Sequence, residues 1–449
     1  MTRLLILGGS DAGISAALRA HEVDPSTQVA VVIADSFPNY SICGLPFYLS
    51  GEVADFHDLA HRTEDEIMDE GIGLLLDHTA RSIDHVNHTV TMTDETDVAH
   101  QIEYDQLIIA TGAVPLRPAI DGLDLPGVYF LRSMGDSFAV NDFINVHEPR
   151  SAVIIGGGYL GLEMADALTR RGLNVTVVER TPSVLKTVDA SLGALIGAEL
   201  QQHNVNVVSG VAVECIVHNG TQLEIMGTGD FYTACDLILV ATGVKPLTNV
   251  AQGAEIMLGQ QGAIQVTRRM ETNLPDIYAA GDCVETWHRF LERPTYLPLG
   301  TTAHKQGRIA GENAVGGSRE FAGTLGTQVV KVFDLAIART GLRDDEAIQA
   351  GYEPLTVEST LWDHKRYYPG AHPLHIRLTG DLMTGQLLGA QMVGHAAGEV
   401  AKRIDSIATA LFHKMNVEAL NELDLSYTPP FSSPWGPIQM SAQAWVASL

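Results

Sequence analysis

The sequence predicts an α/β protein: two Rossmann-like, doubly wound dinucleotide-binding domains followed by a C-terminal α+β domain. Three observations predict it. A strand, glycine turn, helix, strand unit occurs twice; each unit is followed by an apolar segment closing on Ala-Thr-Gly; and the texture changes near Gly323, beyond which no nucleotide signature appears. At roughly 150 residues per domain, 449 residues suffice for about three cores.

In the first unit, Arg3 to Leu7 reads as a buried strand, Gly8 to Gly13 as the turn, Ile14 to Glu22 as a helix and Gln28 to Ala34 as the next strand. The plan returns in Ser151 to Ile155, Gly156 to Gly161, Leu162 to Arg171 and Asn174 to Val178. Tyr104 to Gly112 and Cys235 to Gly243 both contain D-x-[LI]-[LI]-x-A-T-G, which points to duplication. In the third part, Val329 to Phe333 and Leu374 to Leu378 read as strands and Gly398 to Met415 as a helix.

Composition excludes several classes. Lysine plus arginine number 28 and aspartate plus glutamate 54, and the net charge of −26 repels phosphodiester backbones and anionic lipid. The four cysteines, Cys43, Cys215, Cys235 and Cys283, lie far apart with no CxxC pair, which excludes a disulfide framework and a zinc site; no metal is expected. The apolar run after Arg3 is broken by Gly8, Gly9 and Asp11, too short for a signal peptide, and no run approaches the roughly 20 residues that span a bilayer. The expectation is a cytoplasmic protein with neither a nucleic-acid nor a membrane partner.

The second turn, Gly156-Gly157-Gly158-Tyr159-Leu160-Gly161, fits GxGxxG between a strand and a helix, where backbone N–H groups and the helix dipole receive a pyrophosphate. Glu179, 18 residues past Gly161, stands where a ribose 2′-hydroxyl acceptor belongs, which favours NADH; Arg180 beside it leaves NADPH open. The first turn, with Gly8, Gly9 and Gly13, has Ser10 in place of the middle glycine. Asp35, 22 residues on, suits either a ribose hydroxyl or a cap on its own loop. Asp276 to Ala280 reads as a strand delivering Gly281-Asp282 to the ligand edge of a sheet, and Gly300 to Asn313 as a helix entering the same crevice. Cys43 precedes Gly44 and Pro46, residues suited to a turn into a helix start, where the dipole stabilises a thiolate and lowers its pKa below about 8.5. The remaining cysteines sit in apolar, strand-like settings and read as structural.

Together these features resemble the flavin-dependent pyridine nucleotide-disulfide oxidoreductases. More narrowly they resemble the single-cysteine branch of coenzyme A disulfide reductases, NADH oxidases, NADH peroxidases and polysulfide or persulfide reductases. The resemblance runs through the Cys43 segment, Ala110-Thr111-Gly112, the Gly156 turn with Glu163, Ala280-Gly281-Asp282, Ala303 to Arg308, Tyr367 to Gly370 and Ser426 to Phe431. Relatives with two redox cysteines carry CxxxxC, whereas position 48 here is Tyr48. The resemblance implies an FAD-binding domain from residues 1–112 and 244–322, an NAD(P)H-binding domain from 113–243, and a dimerisation domain from 323–449. It implies FAD near Asp282, with Thr111, Gly112, Thr302 and Ala303 also on the cofactor, and NAD(P)H beside Gly156, Gly158, Gly161 and Gly243. Tyr159 would be a lid over the flavin and Glu163 would lie at the nicotinamide end. Tyr367 and Tyr427 would reach the active site of a second copy in a homodimer.

Departures from the branch narrow the expectation. Peroxidases and oxidases place a histidine where this chain has Asp11, and a carboxylate is a poor proton donor to departing hydroxide. Coenzyme A disulfide reductases carry an Arg-Arg pair late in the first helix and a lysine after the Pro-Pro turn; here those places are His21-Glu22 and Trp435, and Ile42 replaces a common asparagine. The implied reaction is NAD(P)H-dependent reduction, through FAD and Cys43, of a small disulfide, persulfide or polysulfide less anionic than coenzyme A disulfide. The rival readings are an NADH oxidase cycling Cys43 through sulfenic acid, and a flavin-binding redox sensor.

Overall fold

The computed structural model describes all residues, Met1 to Leu449, and divides the chain into two compact units. The first comprises residues 1–116, 131–141 and 243–324; the second comprises 117–130, 142–242 and 325–449.

The first unit is built on a five-stranded parallel sheet. Its strands run in the order Ile277–Ala279, Gln106–Ile109, Arg3–Leu7, Gln28–Val32, Ile72–Leu75. Side chains alternate across a strand, so Leu4 and Ile6 face one core with Ile14, Ala17 and Ala310, while Leu5 and Leu7 face another with Val90, Tyr104 and Leu107. Helix Asp11–Val23 packs on the first face against helix Gly300–Ala314. That contact runs backbone to backbone: a Cβ at Gly307 would lie 2.1 Å from the carbonyl oxygen of Ala12, and one at Gly311 2.1 Å from that of Ala16. Only glycine permits this approach, and it places His304 of one helix against Asp11 and Ser15 of the other.

The second unit repeats the parallel sheet in the order Asn206–Ser209, Asn174–Glu179, Ser151–Ile155, Leu237–Val240, Val128–Tyr129. It adds a five-stranded antiparallel sheet, ordered Gln328–Val332, Leu335–Gly341, Leu387–His395, Pro373–Asp381, Pro354–Trp362, with helices Val400–Phe412 and Pro437–Val446. Arg377, buried on this sheet, reaches Asp344 at 2.9 Å and Asp189, which caps helix Ala190–Gln202, at 3.2 Å. Two Rossmann-like sheets and a separate mixed α/β part are thus present.

The nucleotide helices start at Asp11 and Tyr159, three residues earlier than the sequence predicts. The last residues of each glycine turn already form the first helical turn. Helix Val400–Phe412 is shorter at both ends than the stretch 398–415: Glu399 at φ +59° interrupts it before Val400, and Lys414 at φ +55° turns the chain away after Phe412. No helix is long and apolar enough to cross a membrane.

Candidate functional site

Each unit carries a glycine cradle of its own. Gly8 and Gly156 end their strands at φ +113° and +112°, and a Cβ there would meet the carbonyl oxygens of Ala110 and Ala241 at 2.1 and 2.4 Å. Each turn is thereby pressed against the Ala-Thr-Gly segment of its own sheet, and in the first unit this brings the Thr111 backbone nitrogen to 3.3 Å from the place a Cβ on Gly8 would occupy. Neither helix has a side-chain cap at Ser10 or Gly158, and nothing lies within 4 Å of the place a Cβ on Gly158 would occupy. Uncapped N–H donors above an open glycine turn fit a dinucleotide pyrophosphate.

In the first unit, Gly281 (φ +88°) follows strand Ile277–Ala279 and packs against Ala12 and Ala303, so the Gly-Asp turn, the first helix and the helix carrying Thr302 and Ala303 converge. Asp282 is mostly buried; its Oδ2 accepts a hydrogen bond from Arg132 Nη2 at 2.8 Å. Burial pushes its carboxyl up, opposed by Arg132. Gly9, which closes on Ile33, receives the Asn39 N–H on its carbonyl at 2.8 Å, and Gly13 lies directly on the Gly8 carbonyl. Asp35 accepts the Phe37 N–H at 2.9 Å, a cap on its own loop that leaves Oδ2 for a ligand.

Cys43 lies in the 3-10 turn Ile42–Gly44 immediately before helix Leu45–Ser50, and is exposed. Behind this segment Phe37, Tyr40, Tyr48, Phe56 and Phe138 form an edge-to-face cluster, with Phe56 and Phe138 centroids 5.0 Å apart. The other thiols differ. Cys235 and Cys283 are buried and donate to carbonyl oxygens of Leu237 (3.2 Å) and Ala280 (3.3 Å), and burial pushes their pKa values up to about 12 and about 11.

In the second unit, Glu179 closes its strand and accepts three hydrogen bonds: Gly157 N–H at 2.7 Å, Thr181 N–H at 2.8 Å and the Thr181 hydroxyl at 2.7 Å. Gly161 packs on the Gly156 carbonyl. Tyr159, the first helical residue, donates its hydroxyl to Gln328 and accepts from Thr187 at 2.9 Å. One turn on, desolvation pushes the Glu163 carboxyl up to about 7. Tyr367 and Tyr427 are both exposed, at 75% and 44%, on two segments that the fold ties together. Lys365 N–H donates to the Pro429 carbonyl at 3.3 Å, and Arg403 Nη2 donates to the carbonyls of Asp363 (2.7 Å) and Phe431 (3.0 Å).

Residues 2–307 match the pyridine nucleotide-disulphide oxidoreductase family and residues 327–436 match its dimerisation domain. The chain belongs to this family. It is similar to the NAD(P)H sulfur oxidoreductase (CoA-dependent) of Pyrococcus furiosus, 34% identical over 98% of both chains. It is also similar to the coenzyme A disulfide reductase of Staphylococcus aureus, 30% identical over 98% of this chain and 99% of that one. Among solved structures it resembles an NAD-dependent persulfide reductase from A. fulgidus, with TM-score 0.95, 34% identity, and coverage of 99% of this chain and 83% of that one.

This oxidoreductase therefore stands in the single-cysteine, coenzyme A disulfide reductase-like branch, with pyridine nucleotide-dependent disulfide oxidoreduction as its reaction class and a dimerisation domain at its C-terminal end. In the first unit the structure brings Gly8, Gly13, Thr111, Gly281 and Ala303 together, and in the second Gly156, Gly161 and Glu179; Asp35, Cys43, Tyr367 and Tyr427 stand on segments of their own. Sequence reasoning missed Arg132, which compensates Asp282, the aromatic props behind Cys43, and Arg403, which ties the two tyrosine segments. No spacing signal could have found Arg132 or Arg403, whose contacts join residues tens to over a hundred positions apart, or the packing of Phe138 on Phe56.

Proposed function

We propose that the chain reduces a small disulfide, persulfide or polysulfide with electrons from NADH, or secondarily NADPH, through FAD and the single sulfur of Cys43. In this reading residues 1–112 with 244–322 hold FAD, 113–243 hold NAD(P)H, and 323–449 join two copies. The observation that carries the reading is Cys43 itself. It is exposed at a helix start, Tyr48 stands where a second redox cysteine would be, and Cys235 and Cys283 are buried. The relatives named above, a CoA-dependent sulfur oxidoreductase, a coenzyme A disulfide reductase and a persulfide reductase, support a sulfur–sulfur bond as the target.

FAD, when bound, supplies a two-electron relay between a reduced nicotinamide and sulfur. The chain's residues do the rest. Gly8, Gly9 and Gly13 hold one pyrophosphate and Gly156, Gly158 and Gly161 the other. Asp35 takes ribose hydroxyls, and Asp282, with Thr111, Gly112, Gly281, Thr302 and Ala303 around it, faces the flavin side. Gly243 closes the second cradle. Glu179 accepts the nicotinamide cofactor's ribose hydroxyls and repels a 2′-phosphate. Tyr159 covers the nicotinamide pocket and Glu163 lies at its inner end. The Cys43 thiolate attacks one sulfur of the substrate, the other half leaves as a thiol, and the mixed disulfide on Cys43 is then reduced. Tyr367 and Tyr427 of the partner subunit orient the departing sulfur. Glu22 supports a substrate less anionic than coenzyme A disulfide, since it draws both Arg19 (2.9 Å) and Arg308 (3.4 Å) into ion pairs. A cytoplasmic setting suits a reaction that needs a reduced thiol.

The test is anaerobic NADH consumption by the purified protein over a panel of small disulfides, glutathione persulfide, polysulfide and coenzyme A disulfide. The expected pattern is good turnover of a smaller compound, poor turnover of coenzyme A disulfide, and loss of both in Cys43→Ser. Full turnover by Cys43→Ser rejects the mechanism. Oxygen uptake matching NADH consumption without any disulfide establishes an oxidase instead.

A further inference from the structure

Three metal-ligating side chains that the reaction above does not use meet in the second unit. Helix Ala190–Gln202 presents Glu199 and, four residues on at its C-terminal cap, His203. The two-residue turn Phe333-Asp334, between strands Gln328–Val332 and Leu335–Gly341, presents Asp334, 135 positions from Glu199. His203 Nε2 lies 3.3 Å from Glu199 Oε1 and 3.8 Å from Asp334 Oδ2, and the ligand atoms of all three residues lie within 4.8 Å of one another. Ligands at about 2.0–2.2 Å from a tetrahedral ion stand about 3.3–3.6 Å apart, so the imidazole already keeps nearly that spacing from both carboxylates.

The surroundings hold the set in place. The His203 ring stacks on the Phe333 ring with centroids 4.0 Å apart and planes 3° from parallel, which fixes the direction of Nε2. Glu199 Oε1 accepts the Asp334 N–H at 3.0 Å, Asp166 Oδ2 accepts the Phe333 N–H at 2.9 Å, and the Asp334 carbonyl accepts the Ala396 N–H at 2.7 Å, so the turn is pinned on both sides of its ligand. Metal ligands are oriented by such supporting contacts.

Charge gives an independent argument. Glu199 is buried, and its ionic contact is with His203 alone, as is that of Asp334. Lys331 on the adjoining strand and Arg170 are both drawn to Asp166, at 3.5 and 2.5 Å. A buried carboxylate is rarely left without a countercharge, and here a second carboxylate adjoins it with only an imidazole between them. A dication supplies the missing charge. The His203 and Asp334 side chains are 35% and 68% exposed, which gives an ion a path in from solvent.

We propose that Glu199, His203 and Asp334 bind one divalent cation of the zinc class, with water in its fourth position, and that the ion fastens the C-terminal end of helix Ala190–Gln202 to the Phe333-Asp334 turn. An imidazole among the ligands selects Zn²⁺ over Mg²⁺ and Ca²⁺, which favour sets made of oxygen alone.

The test is calorimetric titration of Zn²⁺ into the flavin-loaded protein, carrying no polyhistidine tag and dialysed against chelator, in a buffer that does not bind metal. One Zn²⁺ should bind per chain, in the presence of excess Mg²⁺, and should raise Tm by roughly 5–10 °C at free Zn²⁺ about 100 times Kd. Cys43→Ser and Cys215→Ser should each keep this binding, which separates the site from zinc held by a thiolate. His203→Gln and Asp334→Asn should each weaken it at least about 10-fold. Asp334→Asn alters an exposed side chain and keeps the backbone N–H that Glu199 accepts, so it decides the matter if His203→Gln fails to fold. Unchanged Zn²⁺ affinity in either folded variant, loss of binding in a cysteine variant, displacement by Mg²⁺, or no saturable binding up to about 1 mM Zn²⁺ overturns the assignment.

Discussion

Removing Arg132 tests how the first cradle tolerates its buried carboxylate. The Asp282 and Arg132 side chains are 17% and 31% exposed, and their contact is 2.8 Å long. Breaking a fully buried ion pair by deleting one partner costs about 3–5 kcal/mol, and partial solvation of this pair reduces the expected loss to about 1.5–3 kcal/mol at pH 7. For a unit of about 200 residues this lowers Tm by roughly 3–12 °C. The pH dependence has a definite sign. Burial raises the Asp282 carboxyl and Arg132 opposes the rise, so Arg132→Leu leaves the raising influence alone. A carboxyl whose folded-state pKa exceeds its unfolded value favours the native state below the unfolded pKa, and that contribution is lost as pH rises through the folded pKa. The deficit of Arg132→Leu relative to the unsubstituted protein should therefore be largest at neutral pH and shrink toward pH 4. Calorimetric or fluorescence-monitored melts between pH 4 and 8 measure it. A deficit that is constant across that range, or absent at pH 7, refutes the argument that Arg132 compensates a buried charge.

Gly156→Ala should abolish NADH-driven reduction while leaving circular dichroism of the first nucleotide half largely intact, since the new Cβ would fall 2.4 Å from the Ala241 carbonyl at φ +112°; stopped-flow reduction and NADH binding by calorimetry read this out. On the proposed placement of Glu163 at the nicotinamide end, its carboxyl, pushed up to about 7, should give the NADH half-reaction a limb that rises with pH through about 7, since an ionised carboxylate there stabilises the positive charge that develops on the ring; Glu163→Gln should flatten that limb. Arg403→Ala should free the segment around Phe431 from that around Asp363 and raise KM for the disulfide at least about threefold with little change in the NADH half-reaction, measured by separate half-reaction kinetics.

How much of this was legible in the sequence follows from the range of the contacts involved. The two cradles are local: a strand, a glycine turn and a helix lie within about 30 residues, and each positive-φ glycine is fixed by sterics that any reader of the chain can apply. Even there the helix starts were misplaced. Gly13 and Gly161 look like turn residues, yet they lie within helices and allow the first helical turn to press onto the preceding glycine's carbonyl. Burial was less legible. The resemblance puts Glu163 at the nicotinamide end but says nothing of its titration, and only the folded environment pushes its carboxyl up to about 7.

The chemistry-bearing partners were the least legible, and the reason is topological. Asp11 and His304 are 293 positions apart, and nothing in the local pattern of either helix announces the other. What joins them is a stripe of small residues, Ala12 and Ala16 facing Gly307 and Gly311, which lets two backbones approach until short and long side chains at their flanks must meet. From the sequence Asp11 counts only as a carboxylate that cannot donate a proton to departing hydroxide. In the folded chain the same carboxylate holds the His304 imidazole at 3.3 Å and raises its pKa, a pairing that neither helix reveals on its own.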